Sequence, residues 1–185
     1  LLNLYWETRY PESSQQWQAT SRRLLMGVWV LLPCWVGFNV LRDSGAVWLL
    51  FVMLLVWTAD IGAYFAGRRW GKRKLAPRVS PGKSWEGVYG GLAATMLLAL
   101  LFALWQPLGV MGGVALIVIT AVVTLTSVLG DLFESMLKRY RNIKDSSQLL
   151  PGHGGVLDRI DSLTAAIPIF ALLYLQVLSL QVSAL

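Results

Sequence analysis

The sequence predicts an all-α integral membrane protein of about five transmembrane helices, joined by two charged cytoplasmic loops. Three observations carry that expectation. Mean hydropathy is +0.57 and 56% of the 185 residues are hydrophobic against 14% charged, more apolar than a water-facing surface tolerates. Five apolar stretches approach the roughly 20 residues that a helix needs to cross a ~30 Å hydrocarbon core. The basic residues fall almost entirely in alternate links.

The spans are expected at 24–41, 46–66, 88–105, 108–130 and 163–182. The segment before the first has no small-residue cleavage site after a basic start, so it reads as an inter-helix loop and not as a signal peptide. Because the chain opens on Leu1, it reads as a piece that lacks earlier helices. Cys34, the single cysteine, has no disulfide partner within the chain and suits a small buried hydrophobe. Arg9, Arg22 and Arg23 precede the first span, seven basic residues from Arg68 to Lys83 follow the second, and Lys138, Arg139, Arg141, Lys144 and Arg159 follow the fourth. Only Arg42 lies on the other side. Positive charge is retained in cytoplasmic loops, which places the amino end and both long loops in the cytoplasm and the carboxyl end outside. The net charge of +6 is therefore a topology signal, and no nucleic-acid partner is expected. Trp48 and Trp105 at outer helix ends, with Trp70 and Trp85 at inner ones, suit interfacial anchoring.

Polar residues inside the spans mark candidate sites. Asp60 lies deep in the second span, where an ionisable group is costly and by default functional. Tyr64 follows one turn later, and Ala59, Ala63 and Gly67 form a four-residue ladder for close helix approach. The plainer alternative is an ion pair from Asp60 to Arg68 or Arg69. In the fourth span, Thr120, Thr124, Ser127, Asp131, Glu134, Ser135 and Lys138 recur at helical spacing as one polar stripe. Such a stripe suits a hydrated cavity, against the alternative that its hydroxyls bond backbone and neighbouring helices. Asp131 and Glu134 then need partners or a cation.

The two charged loops complete the set. Ser80, Pro81, Gly82 and Lys83 read as a turn presenting a lysine and exposed amides, which suits a phosphate, although the spacing of a P-loop is missing. The Arg68 to Arg78 cluster fits equally a topology signal that attracts anionic lipid. Asp158 and Asp161 stand three apart on one face of a helix beginning near Leu157, and with Asp131 they form a hard-oxygen set suited to Mg2+. The same pair serves equally as favourable charges at a helix amino end. Lys138, Arg139, Lys144 and the adjacent glycine turn tip the balance to polyphosphate plus metal, with Arg159 available to phosphate or to Asp145. His153, the only histidine, lies among Gly152, Gly154 and Gly155, with no zinc spacing or Ser/His/Asp set around it. A turn-stabilising or nucleotide-contacting role suits it better than proton transfer.

Ser135, Lys138-Arg139, Lys144-Asp145, Ser147, Pro151, His153-Gly154-Gly155, Asp158-Arg159 and Asp161 together resemble the signature of the bacterial phosphatidate cytidylyltransferase (CDP-diacylglycerol synthase) family. The resemblance continues through 59–68, 80–91 and 163–170 and covers most of the chain from Ala46. It implies a single transmembrane cytidylyltransferase domain over 1–185, without the family's further amino-terminal helices, in the bacterial inner membrane with its active site facing the cytoplasm. It also implies reaction of CTP with phosphatidic acid to give CDP-diacylglycerol and pyrophosphate, with Mg2+ as cofactor, membrane lipids as neighbours and a homodimer as a possible assembly. The family's metal-binding carboxylates would fall on Asp131 and Asp158, with Asp161 and Lys144 in the catalytic set. Ser80, Lys83, Lys138, Arg139, Asp145, His153, Gly154, Gly155 and Arg159 would contact substrate, and Asp60 and Glu134 are further candidates. The rival activities are a CTP-dependent lipid kinase and an ion-coupled membrane transporter.

Overall fold

The computed structural model describes Tyr10, Glu12, residues 19–149 and residues 154–178. Helix α1 (Thr20–Ser44) turns at Gly45 into α2 (Ala46–Trp70); α3 (Trp85–Trp105), α4 (Gly109–Tyr140) and α5 (Leu157–Leu173) follow, and α5 runs on into a π-helical turn at Tyr174–Leu178. Gly45 adopts φ 130°, a conformation that L side chains rarely take, which is why so tight a reversal carries glycine. All five helices are long and apolar enough to cross a membrane. The protein is thus an all-α, multi-pass membrane protein by architecture.

Two elements differ from expectation. The Ser80 to Lys83 segment is not a turn: it belongs to strand β2 (Ser80–Ser84), which pairs antiparallel with β1 (Lys74–Ala76) across a turn at 77–79. Pro77 presets that turn, and the Val79 amide closes it on the Ala76 carbonyl at 3.1 Å. Helix α4 runs ten residues past the expected end at Gly130, because the polar segment that follows contains no breaker. At 1.5 Å per residue its length is about 48 Å, so its last third lies beyond a ~30 Å hydrocarbon core. The expected end of the fifth span, 179–182, lies outside the described residues.

Small residues bring α2 and α3 together. Side chains added at Gly62, Gly87 and Gly91 would lie 2.8 to 3.0 Å from carbonyl oxygens of Gly90, Ala63 and Ala59. The ladder of Ala59, Ala63 and Gly67 is therefore a helix-packing face. Helix α3 begins at an N-cap, Ser84, which accepts from the Gly87 amide (3.2 Å), while the Glu86 carboxylate accepts from the amides of Lys72 and Arg73. These bonds fix the hairpin to the end of the bundle.

The main core lies toward the opposite end. Trp48, Phe51, Phe102, Phe170 and Tyr174 form an aromatic cluster with centroids as close as 4.3 Å for Phe51 and Phe102. Trp48 is buried there, so it is a core residue and not the expected interfacial anchor; Trp70, Trp85 and Trp105 stay exposed. Cys34 packs partly buried against the same core. A second cluster of Val79, Leu132, Phe133 and Met136 seats the hairpin turn on the end of α4. Helix α1 buries only Gly37 and Leu41, docking Gly37 on Pro168 of α5.

Candidate functional site

A cavity of about 260 Å³ opens between the end of α4 and the start of α5, lined by Ser135, Lys138, Arg139, Lys144, Asp145, Asp158 and Arg159. All seven were singled out in the sequence, and the fold brings them together although 24 positions separate the first from the last. Two devices hold them. The unbroken extension of α4 carries Ser135, Lys138 and Arg139 out of the apolar layer, and Asp158 gathers the loop that follows. Its carboxylate accepts from Lys138 Nζ (2.7 Å), the Ser146 amide and hydroxyl (both 2.8 Å) and the Gly155 amide (2.7 Å).

Gly154 takes φ 81°, and a side chain there would press within 2.9 Å of the Asp158 carboxylate. Gly154 and Gly155 therefore permit the loop's close approach to Asp158 and Ser146. Asp158 also organises the start of its helix, so that alternative and the site assignment describe one arrangement. His153 lies outside the described residues.

Lys138 is shared. Its ammonium also lies 3.4 Å from Glu134, a buried side chain whose two oxygens have no hydrogen-bond partner. One helical turn back on α4, Asp131 binds Lys83 Nζ at 2.5 Å and accepts from the Ser135 hydroxyl at 3.3 Å. Lys83 also donates to the Val128 carbonyl (3.4 Å) and reaches a second cavity of about 200 Å³ with Asp60, Tyr64 and Thr124. Strand pairing thus directs Lys83 at a carboxylate, while Ser80 lines neither of these cavities. The expected phosphate-presenting turn of Ser80 with Lys83 is not formed.

Asp60 feels the charges of Asp131, Lys83 and Asp161, and Asp161 in turn those of Asp131, Lys138 and Lys83. The alternative pairing of Asp60 with Arg68 is not what Arg68 does: its guanidinium donates to the Tyr64 hydroxyl at 3.0 Å. Five carboxylates (Asp60, Asp131, Glu134, Asp158, Asp161) therefore share one electrostatic neighbourhood with two lysines.

The polar stripe of α4 splits. Thr120 and Ser127 are buried among helices, and Ser127 bonds the Thr124 carbonyl; Thr124 bonds Thr95 at 3.0 Å and also touches the Asp60 cavity. The expected hydrated lining is thus wrong for Thr120 and Ser127, which are buried, while further along α4 Ser135 and Lys138 line the charged cavity. Sequence reasoning passed over Ser146, which ties the loop to Asp158, and Glu86, which ties the hairpin to α3. Glu86 was legible as the acid two residues beyond a serine N-cap; nothing distinguished Ser146 from its neighbours.

Among the described residues no three His, Cys, Asp or Glu side chains are gathered as a ready metal cluster. The donor chemistry nonetheless fits a hard divalent ion. Carboxylate oxygens are its preferred ligands, the carboxylates outnumber the lysines, and the orphaned oxygens of Glu134 lie in the same group. A cation that takes phosphate oxygens as remaining ligands needs only one or two protein carboxylates.

Residues 2–177 match the family model described as the cytidylyltransferase family. The chain is 54% identical over 184 residues to a phosphatidate cytidylyltransferase of Pseudomonas aeruginosa, covering 94% of this chain and 67% of that protein. It is 49% identical to the protein of that name from Haemophilus influenzae, over 91% of this chain and 63% of the relative, and 42% identical to one from Staphylococcus epidermidis, over 75% and 53%. The chain thus spans between about half and two thirds of these relatives' lengths. With a match of that extent, and seven of the signature residues lining one cavity, the chain belongs to the cytidylyltransferase family.

Proposed function

We propose that this protein transfers the cytidylyl group of CTP to phosphatidic acid, giving CDP-diacylglycerol and pyrophosphate, at the cytoplasmic face of a bacterial inner membrane. The observation that carries this reading is the cavity in which Lys138, Arg139, Lys144, Asp145, Asp158 and Arg159 meet at the end of a bundle of apolar helices. It lies where α4 leaves the apolar layer, so a water-soluble nucleotide and a membrane-held phosphate can both reach it. Positive charge on the hairpin and after α4 favours the cytoplasmic orientation.

The nucleophile is already an anion, so no strong base is required. The protein has instead to offset repulsion between two anions and to stabilise the charge leaving on pyrophosphate. Arg139, Lys144 and Arg159 line the cavity with cationic side chains suited to the β- and γ-phosphates. A phosphatidate oxygen attacks the α-phosphorus in line: that P–O bond forms, the bond to the bridging oxygen of the β-phosphate breaks, and pyrophosphate departs with the electron pair. Asp158 keeps Lys138 and the loop in place, and Lys83 holds Asp131 at the membrane margin. Asp131 and Asp158 would hold Mg2+, which when bound supplies charge neutralisation on the phosphates.

The deciding experiment incubates the purified protein with labelled CTP, phosphatidic acid and Mg2+ and identifies both products. CDP-lipid with pyrophosphate is the expected result. CDP with a phosphorylated lipid would replace this reading by the lipid kinase, and ion flux into vesicles without nucleotide turnover would replace it by the transporter. A chiral thiophosphate at the α position should invert; retention would point to a covalent intermediate.

A further inference from the structure

A third cavity, of about 690 Å³, lies outside the charged cluster, between the hairpin and the inner halves of α3 and α4. Its volume falls within the roughly 300–1,000 Å³ of ligand pockets. Leu75, Val79, Trp85, Leu125, Leu129 and Leu132 give it an apolar lining, and Arg78 is its one charged residue. Leu125 and Trp85 are each more than two-fifths exposed, so the cavity opens sideways on the face that meets lipid. At 1.5 Å per residue from Gly109, Leu129 lies about 30 Å along α4, at the margin of the hydrocarbon layer.

Its position relative to the site defines its occupant. Val88 and Val128 line both this cavity and the one that holds Asp60 and Lys83, so two side chains form the partition between an apolar chamber and a charged one. Val128 is also the residue whose carbonyl receives Lys83, itself paired with Asp131. An occupant whose anionic group lies on the charged side of that partition thus has its apolar part beside the larger chamber. Arg78 adds positive charge there, complementary to an anionic headgroup, while its guanidinium donates to the Tyr10 carbonyl at 3.4 Å. Apolar surface of this extent at that depth favours a hydrocarbon occupant over water.

We propose that this chamber is the subsite for one acyl chain of the phosphatidate substrate, and that Leu125 and Leu129 determine which chains it accepts. The proposal rests on the function proposed above, deepening it into a specificity for chain length. The hairpin then has two tasks: β2 delivers Lys83 to the charged cluster, and the turn at 77–79 walls the chain.

The test has two arms. Phosphatidate carrying a photoreactive diazirine at the end of one chain is cross-linked to the protein in vesicles, without CTP. Labels should concentrate at 75–79 and 125–132 and be displaced by dioleoyl phosphatidate but not by an equal concentration of dioleoyl glycerol. In the second arm, Leu129→Trp and Leu125→Trp should each raise KM for dioleoyl phosphatidate at least fivefold, while KM for CTP and turnover of dihexanoyl phosphatidate stay within twofold. Labels spread along the exposed face of α1, or displaced equally by the glycerol lipid, would show annular lipid and overturn the subsite. So would loss of both lipid substrates alike in variants that melt as the parent does. Cross-linking needs no turnover, so focused and competed labels in a protein that makes no CDP-lipid would keep the subsite and overturn only the cytidylyl reaction.

Discussion

Replacing Asp158 by Asn tests the centre of the site with the least change of shape. The carboxylate receives donors from Lys138, Ser146 and Gly155 at 2.7 to 2.8 Å, and its side chain and that of Lys138 are 10% and 14% exposed. Removing one partner of a well-covered pair costs roughly 3–5 kcal/mol. Here the cover is the loop at the bundle's end, close to water, and Lys138 keeps Glu134 at 3.4 Å, so screening reduces the cost to about 2 kcal/mol. The amide can accept one of the present bonds but turns an NH2 toward groups that are themselves donors. That energy falls on the cavity loop and not on the aromatic core, which lies at the far end. At about 1.4 kcal/mol per tenfold, the substitution should lower cytidylyl transfer by at least ~30-fold. The helical signal and melting temperature in detergent should stay near the parent's. Product formation in mixed micelles, beside a thermal melt, reads both. Asp158→Asn protein that retains half its turnover would refute the role given to this carboxylate, and one that fails to fold would move Asp158 from site to scaffold.

Lys83→Met and Asp131→Asn should each depress turnover, and because they remove two ends of one ion pair the double variant should be no worse than the poorer single one. A coupling of about 1–3 kcal/mol in that cycle is expected, and strict additivity would show that the pair is incidental. Chelation with EDTA should abolish turnover and Mg2+ should restore it, whereas undiminished activity in EDTA would remove the metal from Asp131 and Asp158. Gly90→Val should weaken the bundle by about 1–3 kcal/mol through overpacking, since a side chain there collides with Ala66 and the Gly62 carbonyl. A melting temperature unchanged by that substitution would contradict the close α2–α3 crossing.

What was legible in the sequence followed from one-dimensional rules that the membrane enforces. Apolar length gave five spans because backbone polar groups inside a bilayer must bond within a helix, and the ladder of Ala59, Ala63 and Gly67 gave a packing face because close approach of helices needs small residues. The cavity residues from Ser135 to Arg159 were legible as a spaced pattern, and the fold assembles them around Asp158. What escaped was set by partners distant in the chain. Trp48 has the position of an interfacial anchor, yet residues from α3 and α5 complete an aromatic cluster around it. Thr120 and Ser127 share a stripe with Asp131, but whether a stripe meets water or another helix is decided by the neighbouring helix, not by spacing.

The hairpin shows most clearly why such a site needs both kinds of information. Ser80-Pro81-Gly82-Lys83 has the composition of a turn, and a turn would have presented Lys83 to a phosphate in water. Pairing of Lys74–Ala76 with Ser80–Ser84 moves the turn back to 77–79 and extends the lysine toward the bundle, onto Asp131. A lysine held there is already paired with a carboxylate before any substrate arrives, which suits it to positioning Asp131. In the function proposed above, the cationic pull on the triphosphate then falls to Arg139, Lys144 and Arg159, which line the charged cavity. Arg139→Ala and Lys144→Ala should therefore raise KM for CTP more than KM for phosphatidate, while Lys83→Met should act mainly on kcat. Steady-state kinetics with each substrate varied in turn measures this split. If Lys83→Met raised KM for CTP as steeply as Lys144→Ala does, the lysine would be a direct phosphate ligand, and the division of labour drawn from the hairpin would fail.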